Sequence, residues 1–168
     1  MSVAVGPAGP IGPIGSQGPI GPQGPAGPSG LTAYGGRFSN TPQAIPLEES
    51  IAEQVALGGT MPALNESYVP ANSITVAMAG SYQISFVIKA AASLAATVTA
   101  APRLNGVYIP SLTVTSSLSA GTPSVFSASA IITLAAGDVI DLAVSSPSTV
   151  SLVFGTDVSA SLNVSKVN

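Results

Sequence analysis

From Gly6 to Gly30 glycine stands at every third position without a miss, giving eight consecutive Gly-X-Y triplets in GPAGPIGPIGSQGPIGPQGPAGPSG. An unbroken three-residue phase has one common physical cause. Three polyproline-II chains wound about a shared axis leave room there for a hydrogen atom and for no Cβ. A flexible Gly/Pro-rich linker has no reason to keep that phase. Gly6, Gly9, Gly12, Gly15, Gly18, Gly21, Gly24, Gly27 and Gly30 are therefore the expected axial residues of a triple helix, and the repeat predicts a trimer.

The X and Y positions differ in kind. X is proline in seven of the eight triplets, Ser16 being the exception, and proline sets φ near the value a triple helix needs. Y is never proline: Ala8, Ile11, Ile14, Gln17, Ile20, Gln23, Ala26 and Ser29 fill it. Animal collagens usually place a hydroxylated proline at Y, so this repeat looks like a collagen from an organism without that modification, and a bacterial origin is expected. Eight triplets rise roughly 75 Å at about 3.1 Å per residue, a stalk segment rather than a long fibre. So short a helix without charged pairs is marginal by itself, and the rest of the chain must hold the three strands in register.

Three segments are expected: an N-terminal remnant at 1–5, the collagen-like stem at 6–30 and a head at 31–168, long enough to bury a core of its own. Composition is 46% hydrophobic but only 7% charged, so part of the apolar surface is expected to be covered by another copy of the chain. With a net charge of −3 and Arg37, Lys89, Arg103 and Lys166 as its cations, the chain has no basic patch for nucleic acid or an anionic membrane. The absence of cysteine excludes a disulfide framework and a thiolate metal site. Met1–Val5 lacks the basic region and apolar core of a signal peptide, so the chain is expected to be a piece of something longer or to use a non-secretory route. Lys89 interrupts the longest apolar window, 84–101, and no membrane span is expected.

Beyond residue 31 the period changes from three to two. Tyr82, Ile84, Phe86 and Ile88 alternate with polar neighbours, and Val87 makes that strand apolar on both faces, as a central strand would be. Phe126, Ala128, Ala130, Ile132 and Leu134 alternate likewise, as do Ile140, Leu142 and Val144. So do Val158, Ala160, Leu162 and Val164. About ten antiparallel strands are expected, near 33–39, 44–48, 53–57, 73–79, 81–91, 95–104, 107–117, 124–135, 138–145 and 150–166, the last broken near Gly155. Asn105-Gly106 reads as a two-residue hairpin turn. The Ala-rich run 90–101 could be helical on propensity, but Thr97, Val98 and Thr99 within it favour a strand. Many short strands at this spacing predict an all-β sandwich, a jelly roll.

A collagen-like stem running into an all-β head resembles the superfamily shared by tumour necrosis factor and the globular head of the first complement component. Residues 74–86, ITVAMAGSYQISF, look like that superfamily's apolar strand, Gly-x-Tyr and aromatic strand; residues 134–142, LAAGDVIDL, look like its leucine, Gly-Asp and apolar strand. The low-charge head with LNGVYIP at 104–110 is similar to the BclA-type collagen-like glycoproteins of bacterial spore surfaces. That family usually carries Gly-x-Thr triplets, and this stem offers hydroxyls only at Ser16 and Ser29; residues 1–5 are not expected to hold the family's targeting segment. Both departures fit a chain that holds the last triplets of a longer stalk. The resemblance implies a compact homotrimer at a spore surface, exosporium or surface appendage, or at a cell surface. Its other partners would be spore-surface proteins or a host ligand.

Within such a trimer the aromatics Tyr34, Tyr68, Phe38, Tyr82, Phe86, Tyr108, Phe126 and Phe154 are expected in the core or between protomers, with Tyr108, beside a hairpin tip, the preferred interface residue. Loops around 58–72 and 116–124 are the candidate contact surfaces if the head is instead an adhesin. Catalysis is not expected, because without histidine or cysteine a serine would need a desolvated Lys89 or Lys166 as its base. No cofactor is expected. Glu48, Glu49 and Glu53 read as solvated loop charges, and Asp138 with Asp141 makes no chelate unless Asp138 lies in the turn. Calcium near the trimer apex is implied only by the complement resemblance. Asn65-Glu66-Ser67 and Asn163-Val164-Ser165 match an N-glycosylation pattern that carries weight only in a eukaryotic secreted protein.

Overall fold

A computed structural model describes residues 1–15, 17, 18 and 30–167. In chain order the strands are β1 (Tyr34–Ser39), β2 (Gln43–Leu47), β3 (Glu53–Gln54), β4 (Gly59–Thr60), β5 (Glu66–Ser67), β6 (Ser73–Val76) and β7 (Gly80–Ala92). They continue with β8 (Ala96–Leu104), β9 (Val107–Tyr108), β10 (Val114–Leu118), β11 (Pro123–Leu134), β12 (Val139–Ser145), β13 (Val150–Phe154) and β14 (Ala160–Lys166). All strand pairs are antiparallel and form two sheets. The first runs β2-β13-β7-β14-β1-β4 with β11 along the free edge of β7. The second runs β10-β8-β12-β6-β5, with β3 on β12 and β9 on β8. This is the expected all-β sandwich, and its long strands are those whose apolar residues alternate.

Alternation decides which face each strand buries. On β7, Tyr82, Ile84, Phe86 and Ile88 are at most 1% exposed, and β14 sets Leu162 and Val164 beside Phe86 and Ile84. Ile140, Leu142 and Val144 of β12 close the core from the second sheet, with Val98, Ala100 and Leu112. The Ala-rich run is strand, because β8 pairs with β10 on one side and β12 on the other. Asn105 and Gly106 both take positive φ, 51° and 85°, as a two-residue hairpin turn requires.

Four expectations need correction. The single strand expected over 107–117 is split, because Pro110 lacks a donor and starts a 3-10 turn (Pro110–Leu112) between β9 and β10. Over 53–57 only Glu53 and Gln54 pair, although Val55 and Leu57 are fully buried as side chains. Val158 does not join the inward row: β13 ends before Gly155, β14 starts at Ala160, and Val158 lies in the bend at 58% exposure. The 58–72 segment is not an open loop, since it contains β4 and β5 and is stapled to β1.

That stapling rests on close approach. A Cβ on Gly59 would stand 2.5 Å from the Phe38 ring, and one on Gly36 would stand 2.6 Å from Asn163 Oδ1 and 2.7 Å from Met61 Sδ. The chain enters at the end of the sandwich where β1 and β7 begin and β11 and β14 finish. There Lys166 N donates to Ala33 O at 2.8 Å, Asn65 Nδ2 donates to Thr32 O at 2.8 Å, and Tyr34 and Leu64 exchange backbone bonds at 3.0 and 2.8 Å. No helix among the described residues is long and apolar enough to cross a membrane.

Candidate functional site

The two sheets differ sharply on their outward faces. On the first, Gln83, Ser85, Val87 and Lys89 of β7 point away from the core, opposite Ile131, Ser129, Ser127 and Val125 of β11. Val87, Val125, Ile131 and Val153 of β13 are 41%, 62%, 65% and 50% exposed. Isolated exposed valines are ordinary; four branched residues among small hydroxyls on one sheet face make a patch. At its far end from residue 31 the same face opens into a cavity of about 270 Å³ lined by Ala91, Pro123 and Val153, with Lys89 and Asp157 at its rim.

On the second sheet the outward face carries a bonded polar cluster. Asp141 of β12 accepts both arms of Arg103 on β8, Nε to Oδ1 at 2.8 Å and Nη2 to Oδ2 at 2.6 Å, and Gln54 Nε2 adds a bond to Oδ2 at 2.8 Å. Beside them Thr99 and Thr115 share a bond at 2.8 Å, and Thr97 and Ser117 one at 3.4 Å. Asp138 sits in the turn, where it accepts from Asn105 Nδ2 at 2.9 Å and from Ala135 N at 2.8 Å. The two aspartates therefore serve separate structural tasks, and no three metal-ligating side chains meet among the described residues. Asp141→Ala would leave the half-buried guanidinium without its acceptor. A loss of about 1–3 kcal/mol is expected in urea unfolding.

Of the aromatic candidates, Tyr82, Phe86, Phe126 and Phe154 are at most 1% exposed within the single chain and belong to its core. Tyr108 is half-buried. It lines an apolar cavity of about 340 Å³ with Leu104, Ile109, Pro110 and Ile132, while its hydroxyl is buried on the side of Arg103 and Asp141. Burial raises its ionisation above the ordinary phenol range. Of the repeat glycines, Gly6, Gly9, Gly12, Gly15 and Gly18 have no atom within 4 Å of where a Cβ would stand, and Gly30 takes φ +70° where the repeat meets the head. Gly21, Gly24 and Gly27 lie outside the described residues. Sequence reading missed two interior polar groups. Arg37 is 7% exposed and donates to Tyr68 O and Ser73 O at 3.3 Å each, and Glu66 faces the core of the sandwich. For Glu66 the signal was the unusual Gly35-Gly36 pair, since a Cβ on Gly35 would stand 3.1 Å from the Glu66 Cβ.

The head has the fold of several solved structures. An Eiger TNF from S. frugiperda is 14% identical at a TM-score of 0.61, covering 82% of this chain and 93% of its own. Murine APRIL is 10% identical at 0.62, covering 80% and 98%. The globular domain of zebrafish complement 1qA is 14% identical at 0.53, covering 81% and 98%. At such identities these likenesses show the fold alone. No curated protein sequence matches the chain. The profile of the BclA C-terminal domain does match, over residues 51–168, from just before β3 to beyond the last strand, and the chain belongs to that family.

Proposed function

We propose that residues 31–168 are the trimerising head of a collagen-like surface filament on a bacterial spore or cell, and that the repeat at 6–30 is the triple-helical stem it registers, with 1–5 a remnant ahead of it. The observation that carries this reading is the asymmetry of the sandwich. One outward face carries the bonded Arg103–Asp141–Gln54 cluster; the other leaves Val87, Val125, Ile131 and Val153 in water in the single chain. A second copy is the natural cover for such a face in a chain so poor in charge. The free edge of β11, twelve residues long, lies beside the patch and would be shielded by the same contact. The repeat requires three chains, and the resemblance to tumour necrosis factor and complement heads implies a three-fold assembly. The role is structural and non-enzymatic. Light scattering on residues 31–168 should give three times the chain mass, and a monomer at micromolar concentration would overturn the reading.

The adhesin reading has one observation in its favour, the apolar cavity bounded by Leu104, Ile109, Pro110 and Ile132 at the open edge between the sheets. In this reading the contact surface moves from 58–72, which is tied into β4 and β5, to that cavity and the Ser119–Thr122 turn beside β10. Binding on a glycan or matrix-protein array that Ile132→Asp abolishes would favour it.

A further inference from the structure

Glu66 is opposite Val76 in the β5–β6 register, and Val76 is fully buried, so the Glu66 side chain points into the sandwich. Its Cβ and Cγ lie 3.1 and 3.3 Å from where a Cβ on Gly35 would stand, so a bare backbone at 35 makes the room. Both carboxyl oxygens are buried, and neither has a hydrogen-bond partner among the described residues. A charge there is costly, and the site favours the neutral acid. Burial raises Glu66 to about 7, an effect that the nearby Tyr82 hydroxyl partly offsets. Burial, with Glu66 beside it, pushes Tyr82 itself up to about 12. Tyr82 has one proton and donates it to Met78 O at 2.8 Å. A neutral Glu66 leaves that bond intact and can donate to the Tyr82 oxygen. An ionised Glu66 competes for the same proton and draws it away from Met78.

The other charged and titratable groups around this point have contacts of their own, although the Arg37 Nε is buried without a partner. On β1, Arg37 donates to Tyr68 O and Ser73 O, its guanidinium 5.5 Å from the Tyr68 ring centre. Tyr68 donates to Met61 O at 2.7 Å and accepts from Gly36 N at 3.0 Å. Asp138, beyond Val76, is held by Asn105 and the Ala135 amide, and Lys166 of β14 is opposite Tyr82 in the register. Next to Met78, Ala77 N donates to Asn65 O, and Asn65 in turn grips Thr32 O at the root of the stem. We propose that Glu66 and Tyr82 form a proton switch at the stem root: the neutral acid keeps the 64–67 strap closed over Thr32–Tyr34, and ionisation loosens it by taking the Tyr82 proton from Met78. The proposal concerns contacts within one chain and does not depend on the trimer.

The sign follows from proton uptake. The unfolded chain binds this proton below about 4.5 and the folded head below about 7, so the folded state holds more protons in that window and stability falls as pH rises through it. The unfolding constant of the full chain should climb by at most about tenfold per pH unit there, because one group exchanges at most one proton. Carbon-detected titration of the Glu66 carboxyl should give a midpoint near 7, and a midpoint in the ordinary carboxylate range overturns the proposal. Exchange at the Tyr34, Leu64 and Ala77 amides, corrected for intrinsic rates, should accelerate several-fold between pH 5.5 and 8.5 in the parent and stay flat in Glu66→Gln. Tyr82→Phe keeps the carboxyl but removes the relay, so its carboxyl should titrate higher while the three amides lose their pH response. A near-neutral midpoint with unchanged amide protection, or a response that survives in both variants, overturns the coupling.

Discussion

Phe86→Ala is expected to lower the unfolding free energy of the head by about 3–5 kcal/mol, measured by denaturant and thermal unfolding against the parent. Phe86 is 1% exposed in the middle of β7, the longest strand, and its site cannot collapse around the void. Ala128 of β11 and Leu162 of β14 stand beside it in the register, both on strands bonded to β7, so neither can move inward without breaking ladder bonds on that side. Val87, the next residue along, supplies the control. It shares the backbone ladder but faces outward at 41% exposure, and Val87→Ala should cost less than about 1 kcal/mol in an unassembled head. The pair tests the register directly. Near-equal losses at 86 and 87 would mean that β7 does not present Phe86 inward.

The long strands were legible because their physics is local. In β7, β11, β12 and β14 a period of two writes the buried face into the chain, and the Asn105-Gly106 turn needs only the positive φ that these two residues tolerate. Val87 shows where that reading stops: an apolar residue on the second face marks a central strand, but whether solvent or another copy covers it is not written in one chain. The short strands β4 and β5 were illegible, and β3 was read three residues too long, for a related reason. Two residues carry no period, and their pairing is decided by partners far along the chain, as Gly59 beside Phe38 and Gln54 beside Ala143 show. Glu66 read only as the middle residue of the glycosylation-like triplet Asn65-Glu66-Ser67. Its inward turn depends on space made at Gly35, thirty-odd residues away, and on a tyrosine from the opposite sheet.

Placing aspartates at both Val87 and Ile131 is expected to turn the proposed trimer into a folded monomer at micromolar concentration, read by light scattering and by a melting curve on the same sample. Each substitution puts a charge in water in the single chain, where it changes stability by about 1 kcal/mol at most. In a three-fold assembly that covers this face, the same two substitutions bury six carboxylates without partners, at several kcal/mol for each ion. That sum exceeds the association energy of an ordinary interface, so the variant separates folding from assembly. A trimer that persists would move the contact off this sheet. The proposed stem extends the test, because on this reading eight triplets with no proline at Y depend on the linked heads for their effective concentration. In the full chain the double variant should therefore lose the triple-helix circular dichroism while keeping the β-sheet signal. Loss of both signals together would show that the head had failed to fold, and retention of both would show that the repeat holds its own register without the clamp.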